Sequence, residues 1–218
     1  LEPELRKNFP LTHSYFKYYE KEIKTRDVSP PINNDDWFKF GRSQHLDSWV
    51  ADEKIVVGVL STGEKYPIDK RKTIVSSGGT AGYCIIAIPD NFDYSIYYIQ
   101  AILNSKYLEW FSALYGEVFR GGYIARGTKV LKNLPIRKID FSDTKQKALH
   151  DKIVETQKEL ISIYDQIDAN AGNKRALTPL QGQFVREKAN LEKLLAKLYD
   201  LGSEDSLIPL IKELYEAN

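Results

Sequence analysis

In the last third of the chain, apolar residues recur at three- and four-residue steps. Leu149, Ile153, Leu160, Ile163 or Tyr164, and Ile167 form one set, and Phe184, Leu191, Leu195 and Leu198 form a second after "NAGNKRALTP". This spacing predicts two amphipathic helices joined by a turn, most simply an antiparallel hairpin with coiled-coil-like packing. A short helix from about Ser206, carrying Leu207, Leu210, Ile211 and Leu214, is expected to close the end. The mixed charges between the apolar positions read as ordinary solvated faces.

The pattern upstream is of another kind. Leu11, Tyr15, Tyr18 or Tyr19, and Ile23 predict a helix over 10–26, which "DVSPPINNDD" ends with two prolines and an Asn/Asp cluster. Trp37 and Trp49 lie in aromatic clusters and are expected in a core rather than stacked on bases. From Lys54 to Pro89, "KIVVGVL", "KYPID", "KTIVSS" and "GYCIIAI" are short strand-like runs broken by turn residues. Helical spacing returns over 95–116 through Ile99, Ile102, Leu103, Tyr107, Trp110, Phe111 and Leu114, with Gly116 as the stop. The expected class is α+β: a small mixed or antiparallel β core with helices over residues 1–140, then a helical hairpin over 141–218.

Composition adds limits. The chain has 218 residues and a formal net charge of +1, so a uniformly basic coat is excluded while a local patch is not. Residues 1–141 hold 20 Lys and Arg against 17 Asp and Glu, so the basic excess lies there. Cys84, the only cysteine, cannot form an intrachain disulfide, and its run "YCIIAI" marks it as a small buried hydrophobe. That usage fits a reducing, cytoplasmic compartment. No apolar run reaches 18 residues, which excludes a membrane-spanning helix. With no methionine and a start at Leu1, the chain reads as part of a longer protein.

Catalytic signals are scarce. His13, His45 and His150 lie far apart, and no Cys/His set has zinc-ligand spacing. No P-loop, GxGxxG, GxSxG or HExxH is present. The single "PP", in "SPPIN", lacks the flanking residues of an adenine-methyltransferase motif, and no Glu-x-Lys follows Pro89-Asp90 as a one-metal nuclease site requires. No catalytic or metal-binding residue is therefore assigned.

Binding signals are stronger. Residues 117–138 contain Arg120, Arg126, Lys129, Lys132, Arg137 and Lys138 against one acid, Glu117. Cations sharing a face would neutralise phosphates and release counterions, which makes binding salt-dependent. Gly121, Gly122 and Gly127 remove Cβ atoms where a backbone would approach a duplex, and arginine suits guanine's major-groove edge. A solvated basic loop is the alternative from these features alone. Lys70, Arg71 and Lys72 precede "SSGGTAG", where Ser76 and Ser77 open a glycine-rich stretch that reads as a phosphate cradle or a hairpin loop.

The order of several motifs narrows the choice. "ILNSK" (102–106), "RGGY" (120–123) and "LKNLPI" (131–136) follow one another, with the aromatic-Gly-Arg-x-Gln element of Trp37, Gly41, Arg42 and Gln44 upstream and "LYDL" (198–201) downstream. This ordered set resembles the TaqI-like C-terminal specificity domains of type II, particularly IIG, restriction–modification enzymes. Two departures stand out: Arg137 replaces the family's usual proline, and "IARG" follows "GGY" where many relatives have an aromatic-rich run, so relatives' base contacts do not carry over.

The resemblance implies a target-recognition domain that reads double-stranded DNA without catalysing a reaction. It would serve an N6-adenine methyltransferase core that uses S-adenosylmethionine, often fused to a Mg2+-dependent nuclease, encoded outside these residues. The expected DNA-binding residues are Arg120, Tyr123, Arg126, Lys129 and Lys132, with Lys70, Arg71, Lys72, Ser76 and Ser77 in a second loop. Arg42 and Gln44 have the chemistry to read guanine and adenine edges, although a family-wide motif is a poor place to encode a variable sequence. The helical hairpin would pack against the enzyme or act as a spacer. The competing readings are a protein–protein interaction module and half of a type I specificity subunit.

Overall fold

A computed structural model describes residues 2–28, 36–39, 53–63, 66–74 and 82–201. The expectations for Arg42, Gln44, Trp49, Ser76, Ser77 and the helix from Ser206 lie outside them. The chain divides into two compact units, 1–48 and 49–218.

The first unit is helical: α1 (Glu2–Asn8), α2 (Pro10–Tyr18) and α3 (Glu20–Lys24). Pro10 opens α2, where its fixed φ is pre-set for a helix and its missing N–H is no loss. The single helix expected over 10–26 is thus two, because the chain breaks at Tyr19. Trp37 is buried as expected, and its indole N–H and the ring Nε2 of His13 each lie 3.0 Å from the Glu2 carboxylate. Leu11 and Tyr18, however, are 85% and 80% exposed, so the apolar stripe of α2 does not form this unit's core.

The second unit is α+β. Strand β1 (Lys54–Gly58) pairs antiparallel with β3 (Ile68–Asp69) and β4 (Tyr83–Ile86). A second antiparallel sheet has the order β2-β6-β5, from Leu60–Ser61, Tyr123–Ala125 and Val118–Phe119. Val59 joins the two sheets, accepting from the Arg126 N–H at 2.6 Å and donating to the Gly82 carbonyl at 2.9 Å. In β1, Ile55 and Val57 are fully buried, as a period of two requires for one inward face.

The helical segment 95–116 is also two helices, α4 (Ile96–Leu103) and α5 (Lys106–Tyr115). Asn104 ends one and Ser105 caps the other, the serine hydroxyl accepting from the Leu108 N–H at 3.2 Å. Beyond the short α6 (Thr128–Leu131), α7 (Thr144–Ala169) and α8 (Lys174–Leu198) form the expected hairpin. Its turn is shorter than expected, 170–173 rather than 170–179, and Pro179 sits inside α8. Tyr98, Ala101 and Ile102 of α4 share one hydrophobic core with Ile55 and Val57 of β1 and with Ile153 of α7 and Leu195 of α8. Among the described residues, no helix is long and apolar enough to cross a membrane.

Candidate nucleic-acid interface

The glycine–arginine stretch, expected to be a loop, is a β-hairpin. Phe119 pairs opposite Tyr123 and Val118 opposite Ile124, leaving 120–122 as the turn. Gly121 and Gly122 have φ of +85° and +75°, conformations that side chains disfavour, so the two glycines make the tight reversal possible. Register then separates the faces: Ile124 is buried, while Phe119, Arg120 and Tyr123 are exposed. Arg120 forms no ion pair among the described residues and stands at the tip.

Gly116 seats the hairpin on α5. A Cβ there would lie 2.7 Å from Ile124 Cγ2, 2.7 Å from the Ser112 carbonyl and 2.8 Å from that of Ala125. Only a residue without a side chain lets the end of α5 pass this close to β6.

Arg126, expected on the positive face with Arg120, is instead 1% exposed. Its Nη2 donates to the equally buried carboxylate of Glu109, and its Nη1 to the Tyr66 hydroxyl at 3.2 Å. Arginine's planar fork satisfies two directions at once, which is why it can be buried where lysine could not serve. Burial drives the Tyr66 hydroxyl's pKa upward, against the pull of the guanidinium. Arg126 is therefore an internal strut and not a group available to phosphate.

Tyr66 leads into the second basic loop, and α4 holds its backbone at both polar groups. The Tyr66 N–H donates to Asn104 Oδ1 at 3.1 Å, and its carbonyl accepts from Gln100 Nε2 at 2.9 Å. Gln100 is itself fixed by a 2.9 Å bond from Gln157 of α7. The "LNS" of the "ILNSK" element thus has a local physical meaning: Leu103 is core, Asn104 grips Tyr66, and Ser105 caps α5.

Asp69 then closes the loop on itself. Its carboxylate accepts from the N–H of Arg71 at 3.0 Å and of Thr73 at 2.8 Å, and lies 2.8 Å from the ammonium of fully buried Lys54. The Lys54 ammonium, helped by these backbone donors, holds the Asp69 carboxyl far below the usual carboxylate range. Lys72 adopts φ of 55°, the left-handed turn that the loop requires. Lys70 folds back onto α4, bonded to the Tyr97 hydroxyl and 3.3 Å from Glu53, while Arg71 and Lys72 are exposed. Lys129 and Lys132 are exposed on and just after α6, whose buried Val130 anchors it.

The structure thus brings the bases of the hairpin and of the 70–72 loop together through Arg126 and Tyr66. Among the described residues, no group of three His, Cys, Asp or Glu side chains could hold a metal ion. Nor does Gly121-Gly122 suit a nucleotide cofactor, since it turns between two strands and opens no helix.

The model of the TaqI-like C-terminal specificity domain matches residues 4–136, more than half of the chain. The chain belongs to the TaqI-like C-terminal specificity domain family. It is also 46% identical over 216 residues to the type II restriction enzyme and methyltransferase RM.Eco57I of Escherichia coli. That match covers 98% of the chain but only 21% of the relative. The TaqI-like span runs from within α1 through α6 and hence takes in both basic loops. The match to the relative extends through α7 and α8 as well. Of the framework of this specificity domain, Asn104 stood in the "ILNSK" element, but Tyr66, Gln100 and Glu109 were not singled out from sequence; the signal available was one acid, Glu109, inside the apolar run "YLEWF".

Proposed function

We propose that this specificity domain recognises double-stranded DNA sequence-specifically on behalf of a type II, IIG-like, restriction–modification enzyme. The observation that carries this reading is the exposed β5–β6 hairpin, with two left-handed glycines and Arg120 at its tip, on a chain of the TaqI-like family. Arg120, Lys129, Lys132, Arg71 and Lys72 supply phosphate contacts that set position, and Arg120 with Tyr123 reaches base edges. The fragment positions the DNA and does no chemistry itself. An adenine-N6 methyltransferase core, with its S-adenosylmethionine, lies elsewhere in the polypeptide, as does any Mg2+-dependent nuclease. Residues 1–140 carry recognition, and the hairpin within 141–218 docks onto that core while sharing the hydrophobic core of α4.

Selection from a randomised duplex library at about 100 mM salt tests this, because the non-specific electrostatic background is then partly suppressed. Enrichment of one short motif is the expected result. Recovery of unselected sequence at every salt concentration would reject specific recognition.

A further inference from the structure

The two candidate DNA-facing segments belong to different sheets: among the described residues β3 pairs with β1, while β6 pairs with β5 on one side and β2 on the other. Among the described residues, the side-chain link between them is the buried trio Tyr66, Glu109 and Arg126. We propose that this trio positions the hairpin and the 70–72 loop relative to one another, so that discrimination among DNA sequences depends on residues that never touch DNA. The functional half of this inference rests on the DNA-recognition reading above; the mechanical half does not.

Geometry supports it from three directions. Arg126 follows the last residue of β6, and its N–H bonds Val59, the joint between the sheets, at 2.6 Å. Its guanidinium reaches α5 through Glu109 and the entry to the second loop through Tyr66. Tyr66 is pinned by α4 at its N–H and carbonyl, so the phenol has little freedom to follow a wandering arginine. A hairpin clamped at its base on α5, on Val59 and on Tyr66 keeps one orientation. Stability alone does not account for such an arrangement. A buried ion pair can usually be replaced by apolar residues of similar volume without loss of stability, whereas removing one partner strands a charge. What the charged fork provides and an apolar pair lacks is direction.

The test uses the 218-residue chain in three forms besides the parent: Glu109→Gln, Glu109→Leu with Arg126→Met, and Tyr66→Phe. Thermal melting should show Glu109→Gln strongly destabilised and the apolar double variant largely restored. Amide hydrogen exchange without DNA should nonetheless show the double variant losing protection in both 66–73 and 118–126. With the duplex that the parent enriches, compared with a scrambled duplex of equal composition, the double variant should lose about tenfold in discrimination at an unchanged salt slope. A purely structural role predicts the reverse: restored melting with restored protection and discrimination, and that result overturns the proposal. Tyr66→Phe removes one oxygen and leaves the ion pair, so it decides the matter if the double variant fails to fold. Parent-like exchange in both segments of Tyr66→Phe would then sink it. If the parent enriches no duplex, the DNA-recognition reading fails, while the exchange experiment still decides the coupling.

Discussion

At Gly116 the difference between one residue and another is a single methyl group with no room to stand. Alanine there would collide with Ile124 and with the carbonyls of Ser112 and Ala125, two of which are backbone atoms that cannot swing aside. Gly116→Ala is expected to cost about 1–3 kcal/mol, the range for forced overpacking, with loosening concentrated at the β5–β6 hairpin. Denaturant titration gives the magnitude and amide exchange the location; an unchanged midpoint would show that α5 and β6 do not touch as described. Asp69 makes a different demand, on protons. Its carboxyl is depressed in the folded chain by Lys54 and by backbone donors. The stability it contributes is therefore present above the unfolded value of about pH 4 and is lost as the pH falls below it. The midpoints of the parent and of Asp69→Asn should differ above about pH 4 and converge on acidification; parallel curves would remove Asp69 from the linkage. Arg120 and Arg126 show why the site was only half legible in the sequence. Both are arginines beside glycine in one basic stretch, and nothing local separates an exposed cation from a buried one. The distinction lies in partners 17 and 60 residues away, Glu109 and Tyr66.

Among the elements, length decided what could be read. The α7–α8 hairpin repeats its apolar spacing over 26 and 25 residues, enough for the period to stand out. The strands β2, β3 and β5 have two residues each and exist only through pairing, so no local pattern could separate them from loop. The helix over 95–116 ran on in the sequence because Ser105 interrupts the geometry without interrupting the apolar period. Its hydroxyl caps α5, and Ser105→Ala is expected to cost about 1 kcal/mol through the lost cap, measurable as a shift in thermal midpoint. Asn104→Ala should cost more, about 1–3 kcal/mol, because it leaves the Tyr66 N–H without its partner. Equal losses from the two variants would mean that Asn104 does no more than end α4. Pro179 misled in the opposite sense. It reads as a helix breaker, yet it sits exposed in the second turn of α8, near enough to the start that its missing N–H removes a single helical bond.

Across the whole molecule, the helical hairpin and the sheet-bearing region are joined by α4, which contributes to one core with both. A substitution on the buried face of α7 or α8 therefore reaches β1 through packing, while the exposed cations lie outside that core. The two kinds of change can be told apart. Replacing Arg120, Lys129 and Lys132 together by alanine should leave the melting temperature nearly unchanged and reduce the slope of log K against log salt by about 0.9 for each phosphate no longer neutralised. An unaltered slope would take these three residues out of the interface. Net charge could not reveal this arrangement, because the acids of the helical hairpin offset the basic excess elsewhere in the sum.

The grip of α4 on Tyr66 has a consequence for how such a domain changes its target. Gln100 and Asn104 hold the backbone of residue 66, and Asp69 closes the turn after it from within. The framework ends there, and the chain beyond it starts from a fixed address whatever residues it carries. Asp69 marks a splice point: segments grafted after it from kindred domains would inherit the same launch position. Exchanging that one cassette would vary how the loop meets DNA beside the hairpin, with the scaffold inherited intact.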